Sequence, residues 1–145
     1  MIHQNEFVTA SLIVKLGNAV TYYRNIKMED LGLTSIQSDA LIAALRKPEI
    51  TASQLKEQLQ LSQSTVAGII ERLESKGFIS KVSDPQDARK TRLIPTEQGR
   101  QLEEKLRKIA LDIQNAISDG MNTEEQAEFS RLLKIALENM NRGRK

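Results

Sequence analysis

The chain has 145 residues with 21 basic and 19 acidic side chains, enough for one domain with its own core, and its charge is too even to name a partner. It contains no cysteine, which excludes disulfides, thiolate metal sites, cysteine nucleophiles and thiol-based redox sensing. Three Phe, two Tyr and no Trp leave little for stacking the bases of a single strand.

A first helix is predicted over about residues 6–27, where Val8, Leu12, Leu16, Ala19, Tyr23 and Ile26 recur at helical spacing. A second begins after Thr34, turns Ile36, Ala40, Leu41, Ala44 and Leu45 to one side, and closes at Pro48. Thr51 and Gln54 form a capping-box pattern opening a short helix that ends near Leu59. Ser62 caps a helix over 63–76 with Val66, Ile69, Ile70 and Leu73 inward, and Gly77 suits a left-handed C-cap. Gly68, inside this helix, costs ~1 kcal/mol relative to Ala and is expected to allow close approach of a neighbouring helix rather than of DNA.

The period then changes. Residues 78–82 and 91–94 read as strands around a polar tip, 83–90, and Pro95 ends the second. Thr96 caps a long helix running to about Ser118, with Leu102, Leu106, Ile109, Ile113 and Ala116 as its seam. Asp119-Gly120 breaks it. Thr123 and Gln126 suggest another capping box, opening a helix with Phe129, Leu132, Leu133, Ala136, Leu137 and Met140 on its apolar side. The basic tail, 141–145, is expected to fray.

Two short helices joined through Gln60-Leu61-Ser62, then a two-stranded hairpin, make a winged helix-turn-helix pattern. The expected fold class is α+β and mostly helical. The second helix of such a pair enters the major groove by its N-terminal end, here Ser62, Gln63, Ser64, Thr65 and Ala67. Gln can pair with adenine, while Ser and Thr can serve several bases. Arg72 and Lys76, further along, are candidate phosphate contacts, with a solvated face or pairing to Glu71 and Glu74 as the competing reading. At the hairpin tip Asp87, Arg89, Lys90 and Arg92 are the candidate wing contacts. A guanidinium on a narrow ribbon reaches a minor groove, and Asp87 can orient Arg89 by a fork-like pair. Double-stranded DNA is the expected partner.

Asp84-Pro-Gln-Asp87-Ala-Arg89 with Leu93-Ile-Pro-Thr96-Glu-Gln-Gly99 resembles the wing signature of the MarR family, and Ser64-Thr65-Val66 with Glu71-Arg72-Leu73-Glu74 through Phe78 is similar to its recognition helix. The resemblance in helix order covers nearly the whole chain and the diagnostic motifs cover 62–99. It implies a homodimeric regulator, a repressor on a pseudo-palindromic site, with a DNA-binding lobe over about 30–97. The helices at about 5–27 and 98–141 would form the dimerisation region, all within a single domain, 1–145. It also implies a crevice for a small-molecule effector between the two regions. Ala88 and Pro95 depart from the family pattern, which commonly has arginine and leucine there.

Tyr22, Tyr23, Arg24 and Met28 are candidates for lining an aromatic-acid pocket; the competing reading packs at least one tyrosine at a dimer interface. His3 is the only histidine and, lacking partners, a poor metal ligand, so neither metal nor cofactor is expected. No nucleophile–base pair, phosphate-binding glycine loop or zinc-protease motif is present, so the chain does not read as an enzyme. No apolar run approaches the ~18 residues of a membrane span and residues 1–8 lack a secretory pattern, so a soluble cytoplasmic protein is expected. The rival readings are a winged-helix protein-interaction module and a sequence-indifferent architectural DNA binder.

Overall fold

The structure, a computed structural model, describes residues 6–143. His3 and the last two residues of the basic tail lie outside that range. The chain packs as two compact units, the first ending at Ala110 and the second beginning at Leu111.

The first unit holds α1 (Val8–Glu29), α2 (Ser35–Arg46), β1 (Ile50–Thr51), α3 (Ala52–Leu59), α4 (Gln63–Ser75), β2 (Ile79–Ser83), β3 (Thr91–Pro95), α5 (Glu97–Arg100) and the start of α6 (Glu103–Ser118). The result is mostly helical with one small antiparallel sheet, the expected α+β class. Its core joins Met28 and Leu33 to Ala40, Leu41 and Ala44 of α2, Leu55 of α3, the four inward residues of α4, and Leu93 and Leu106. In α2 the inward face differs from expectation at one place. Ile36 is exposed and Gln37 is buried, because Gln37 closes a capping box with Thr34.

The sheet order is β1-β3-β2. The hairpin register pairs Ile79 with Pro95, Lys81 with Leu93 and Ser83 with Thr91. Pro95 is thus the last strand residue and is buried, as an edge-compatible residue at a strand end can be. β1 was not legible as a strand; its Ile50 and Thr51 pair with Leu93 and Arg92, following Glu49 at φ 71°.

The long helix expected after Thr96 is divided. Thr96 caps only α5, its hydroxyl donating to the Gly77 carbonyl at 2.5 Å and its amide to the Phe78 carbonyl at 3.0 Å. Gly99 presses on the same strand start: a Cβ there would stand 2.2 Å from the Phe78 carbonyl oxygen. Leu102 then bonds back three residues, to Gly99, before α6 starts and buries Leu106. Docking to the strand and docking to the core impose different demands, and the chain meets them with a tightened turn. Gly68 also differs from expectation: beyond its chain neighbours and its own helix backbone, no atom of the described residues lies within 4 Å of a Cβ built on it, so no neighbouring helix packs there.

The second unit holds the rest of α6 and α7 (Thr123–Arg142), joined through Gly120 at φ 84°. The cap of α7 is Asn122, not Thr123. Its side chain accepts from Glu125 N at 2.8 Å, and Glu125 returns to Asn122 N at 2.9 Å. Gln126 instead donates to the Met121 carbonyl. Arg142, expected to fray, ends α7 in helical conformation. Among the described residues no helix is long and apolar enough to cross a membrane.

Candidate nucleic-acid interface

α3 and α4 meet through a turn that the sequence builds residue by residue. Thr51 and Gln54 satisfy each other's backbone amides at the start of α3, at 3.1 Å each. Gln60 takes the left-handed conformation, φ 54°, that reverses the chain. Ser62 Oγ then accepts the Thr65 amide at 3.2 Å, opening α4. Val66, Ile69, Ile70 and Leu73 anchor α4 in the core, so Gln63, Ser64, Thr65, Ala67, Gly68 and Arg72 face solvent. No acid stands in its first turn, where free amides and the helix dipole favour a negative group. The Thr65 hydroxyl accepts from Ser62 Oγ at 2.8 Å, which leaves its own proton for an external acceptor.

The other end of α4 is tied down. Lys76 Nζ donates to Gln37 Oε1 at 2.8 Å and to the Gly32 carbonyl, so it turns inward rather than to phosphate. Glu74 pairs with Lys81, at 3.4 Å. Arg72 makes no side-chain hydrogen bond or ion pair among the described residues and stays available.

The hairpin separates its charges by depth. Asp84, 8 % exposed, accepts Arg92 Nε at 2.9 Å and Nη2 at 2.8 Å through Oδ2, and the Gln86 amide at 2.8 Å through Oδ1. The Gln86 amide and then the Arg92 guanidinium hold its carboxyl below the ordinary value. Arg92 therefore staples the base of the wing. At the tip, Asp87 accepts Arg89 Nε at 3.2 Å and the Arg89 amide at 3.0 Å; the guanidinium first and then the amide lower the Asp87 pKa. The Arg89 side chain nevertheless remains 92 % exposed. The wing thus presents Arg89 and Lys90, and withholds Arg92.

Between the start of α3, the outer face of α4 and the hairpin lies a groove of about 630 Å³. Lys56, Lys81, Arg89 and Lys90 line it together with Gln63 and Ala67, and no carboxylate does among the described residues. Lys56 is not among the contacts expected from the sequence. The signal was available, since the first helix of a helix-turn-helix crosses the DNA backbone. Packing brings together Gln63, Ala67, Arg89 and Lys90 of the expected contacts.

The four expected pocket residues do not converge. Met28 is 2 % exposed within the core, and Tyr22 is open to solvent. Tyr23 carries Lys27 Nζ 5.5 Å from its ring centre. Arg24 is engaged by Asp39, by the Ser35 carbonyl at 3.2 Å and by Ser38 Oγ at 3.1 Å. A separate groove of about 310 Å³ runs between α2 and the first turns of α6, floored by Ile42, Leu45 and Leu106 and bordered by Arg46, Glu103 and Arg107.

A description of the MarR family matches residues 33–91, the stretch that carries the turn, α4 and the hairpin. The HTH-type transcriptional regulator YybA of Bacillus subtilis is 31% identical over 127 residues, covering 88% of this chain and 85% of YybA. A MarR transcriptional regulator from Methanosarcina mazei Go1 superposes with a TM-score of 0.86 at 27% identity, covering 95% of this chain and 99% of that one. BpsR of Bordetella bronchiseptica, whose DNA binding is regulated by 6-hydroxynicotinic acid, superposes with a TM-score of 0.82 at 26% identity over 94% of this chain and 96% of its own. Residue pattern, fold and relatives agree: the chain belongs to the MarR family of DNA-binding transcriptional regulators.

Proposed function

We propose that the protein is a cytoplasmic repressor that binds a pseudo-palindromic duplex as a homodimer, and that it acts by occupancy rather than catalysis. The observation that carries this reading is the juxtaposition of an acid-free α4 first turn with a groove lined by four cations. Ser62, Gln63, Ser64, Thr65 and Ala67 address base edges in the major groove, and Arg72 a phosphate. Arg89, oriented by Asp87, enters the flanking minor groove, with Lys90 and Lys56 on phosphates. Arg92 contributes by stiffening the wing. Residues of about 30–97 form the DNA-binding lobe.

The dimer is supported by unpartnered apolar surface. Phe7 at the cap of α1 is exposed with Val8, Leu12, Ile13 and Val14 of that helix, and α7 exposes Leu132, Ile135, Leu137 and Met140. Exposed apolar area of that extent calls for a partner, and a second copy supplies it symmetrically. Two-fold symmetry then sets half-sites about 34–36 Å apart or a multiple of it.

Control of DNA binding by a small effector has a precedent in BpsR. The groove between α2 and α6 combines the apolar Ile42, Leu45 and Leu106 with Arg46 and Arg107 and with the carboxylate of Glu103, so an organic acid there needs the two guanidinium groups to outweigh Glu103. Such a ligand releases DNA if it binds better to a dimer whose recognition helices are mis-spaced.

The test is fluorescence anisotropy with a duplex enriched by the protein from a random-sequence pool, against its shuffled counterpart, over a salt series, with sedimentation to give the stoichiometry. Two chains per duplex, with tight and salt-sensitive binding to the enriched sequence alone, is expected. Equal binding to both would point to an architectural role, and binding to neither would refute the reading.

A further inference from the structure

Gly68 sits in the middle of α4, and its backbone does not adopt the left-handed conformation that favours glycine elsewhere in the chain. At Gly77 the chain itself demands glycine, through φ 82°; at Gly99 it does so through the 2.2 Å approach to Phe78. At Gly68 it does not: a Cβ would meet nothing within 4 Å. Glycine in a helix interior is less stable than alanine, because it has more backbone freedom to lose. The fold gains nothing from this residue that alanine would not supply.

Its surroundings indicate what does gain. Ser64 lies one turn before it and Ala67 beside it, both small and exposed. Ala67 also borders the cation-lined groove, so this stretch of α4 flanks a surface suited to phosphates. Glu71 follows within one turn, exposed and without a side-chain hydrogen bond or ion pair among the described residues. A carboxylate repels phosphate but accepts a hydrogen bond from the cytosine amino group. On the DNA-binding reading, Gly68 shares one exposed helix face with Ser64, Ala67 and Glu71, the face whose carboxylate suits a base edge better than a phosphate.

We infer that Gly68 is a specificity-determining residue, which lets the α4 backbone seat against base edges of the operator more closely than any side chain would permit. The inference rests on the DNA-binding reading above. It assigns a role to a position whose geometry is otherwise unconstrained, and it makes stability and recognition change in opposite directions.

The experiment compares wild type, Gly68→Ala and Gly68→Gln by thermal melting and by anisotropy on the enriched and shuffled duplexes. Gly68→Ala should melt at a higher temperature than wild type. It should bind the enriched duplex about ten-fold more weakly, while affinity for the shuffled duplex stays within about two-fold. Gly68→Gln, also a better helix former than glycine, should lose more on the enriched duplex because its side chain is longer. Unchanged affinity for the enriched duplex in both variants overturns the inference, as does an equal loss on both duplexes. If wild type enriches no duplex at all, the DNA-binding reading falls with it; if wild type is specific and both variants match it, only the role of Gly68 falls.

Discussion

Asp84 and Arg92 close the base of the wing, with both Nε and Nη2 of the arginine on the same carboxylate oxygen, at 2.9 and 2.8 Å. The pair fixes where the tip stands without itself being offered to a ligand. Asp84→Asn keeps the shape but loses the charge-assisted bonds. Binding to the enriched duplex should weaken several-fold while the circular dichroism spectrum is unchanged. Full affinity would show that the wing holds its position without this pair.

The same pair gives a pH dependence. The carboxyls of Asp84 and Asp87 have folded pKa values below the ordinary one. Each therefore contributes stability above its unfolded pKa, about 3.9, and loses it as pH falls through the lower folded value. Wild type should melt above Asp84→Asn from neutral pH down to about pH 5, and that difference should shrink as the pH is taken below about 4. A difference that instead grew on acidification would contradict the assigned direction.

Arg89 is held by Asp87 yet almost wholly exposed, so its removal should spare the fold. Arg89→Ala should lower the melting temperature only slightly, through loss of its exposed pair with Asp87, while it lowers affinity and reduces the salt slope of binding by about one. An unchanged slope would remove Arg89 from the interface.

Thr65 retains a hydroxyl proton for an acceptor outside the protein. Thr65→Ala should cost about 1–3 kcal/mol on the enriched duplex and much less on the shuffled one. The comparison is by titration of both duplexes; equal losses would mean that Thr65 reads no base.

Gln37 Oε1 serves two helices, accepting Thr34 N at 3.2 Å and Lys76 Nζ at 2.8 Å. Gln37→Ala should destabilise by about 1–3 kcal/mol, since it removes the return bond of the capping box at Thr34 N and strips a buried acceptor from the end of α4. A double-mutant cycle with Lys76→Met in urea denaturation should show coupling; additive effects would mean that the link between α2 and α4 carries no energy.

Much of this architecture was legible in the residue order because its signals are local. The capping pair Thr51–Gln54, the Ser62 cap and the Gly77 stop depend on groups within a few residues of each other, so spacing alone locates the helix ends. The inward face of α4 follows from its period, and the diagnostic stretch from α4 through the wing lies in contiguous sequence. Asn122 was passed over because Thr123 beside it is an equally good cap by type, and only the path of the chain out of Gly120 chooses between them.

Partners distant in sequence were decided by the tertiary structure. Arg92, Lys76 and Arg24 are cations like Arg89 in any residue count, but packing delivers Asp84, Gln37 and Asp39 to them and leaves Arg89 in solvent. Lys56 joins Lys81 and Lys90 in one groove only because α3 and the hairpin fold onto the same side of α4. β1 exists because two residues after Glu49 find Leu93 and Arg92 across the sheet, a pairing too short to leave a period. The residue order by itself determined the limits of α3 and α4 and the family resemblance, because those rest on chemistry between residues close along the chain. Which charges are spent inside the fold and which face a ligand depended on contacts between segments, and these form only when burial of the common core brings the segments together.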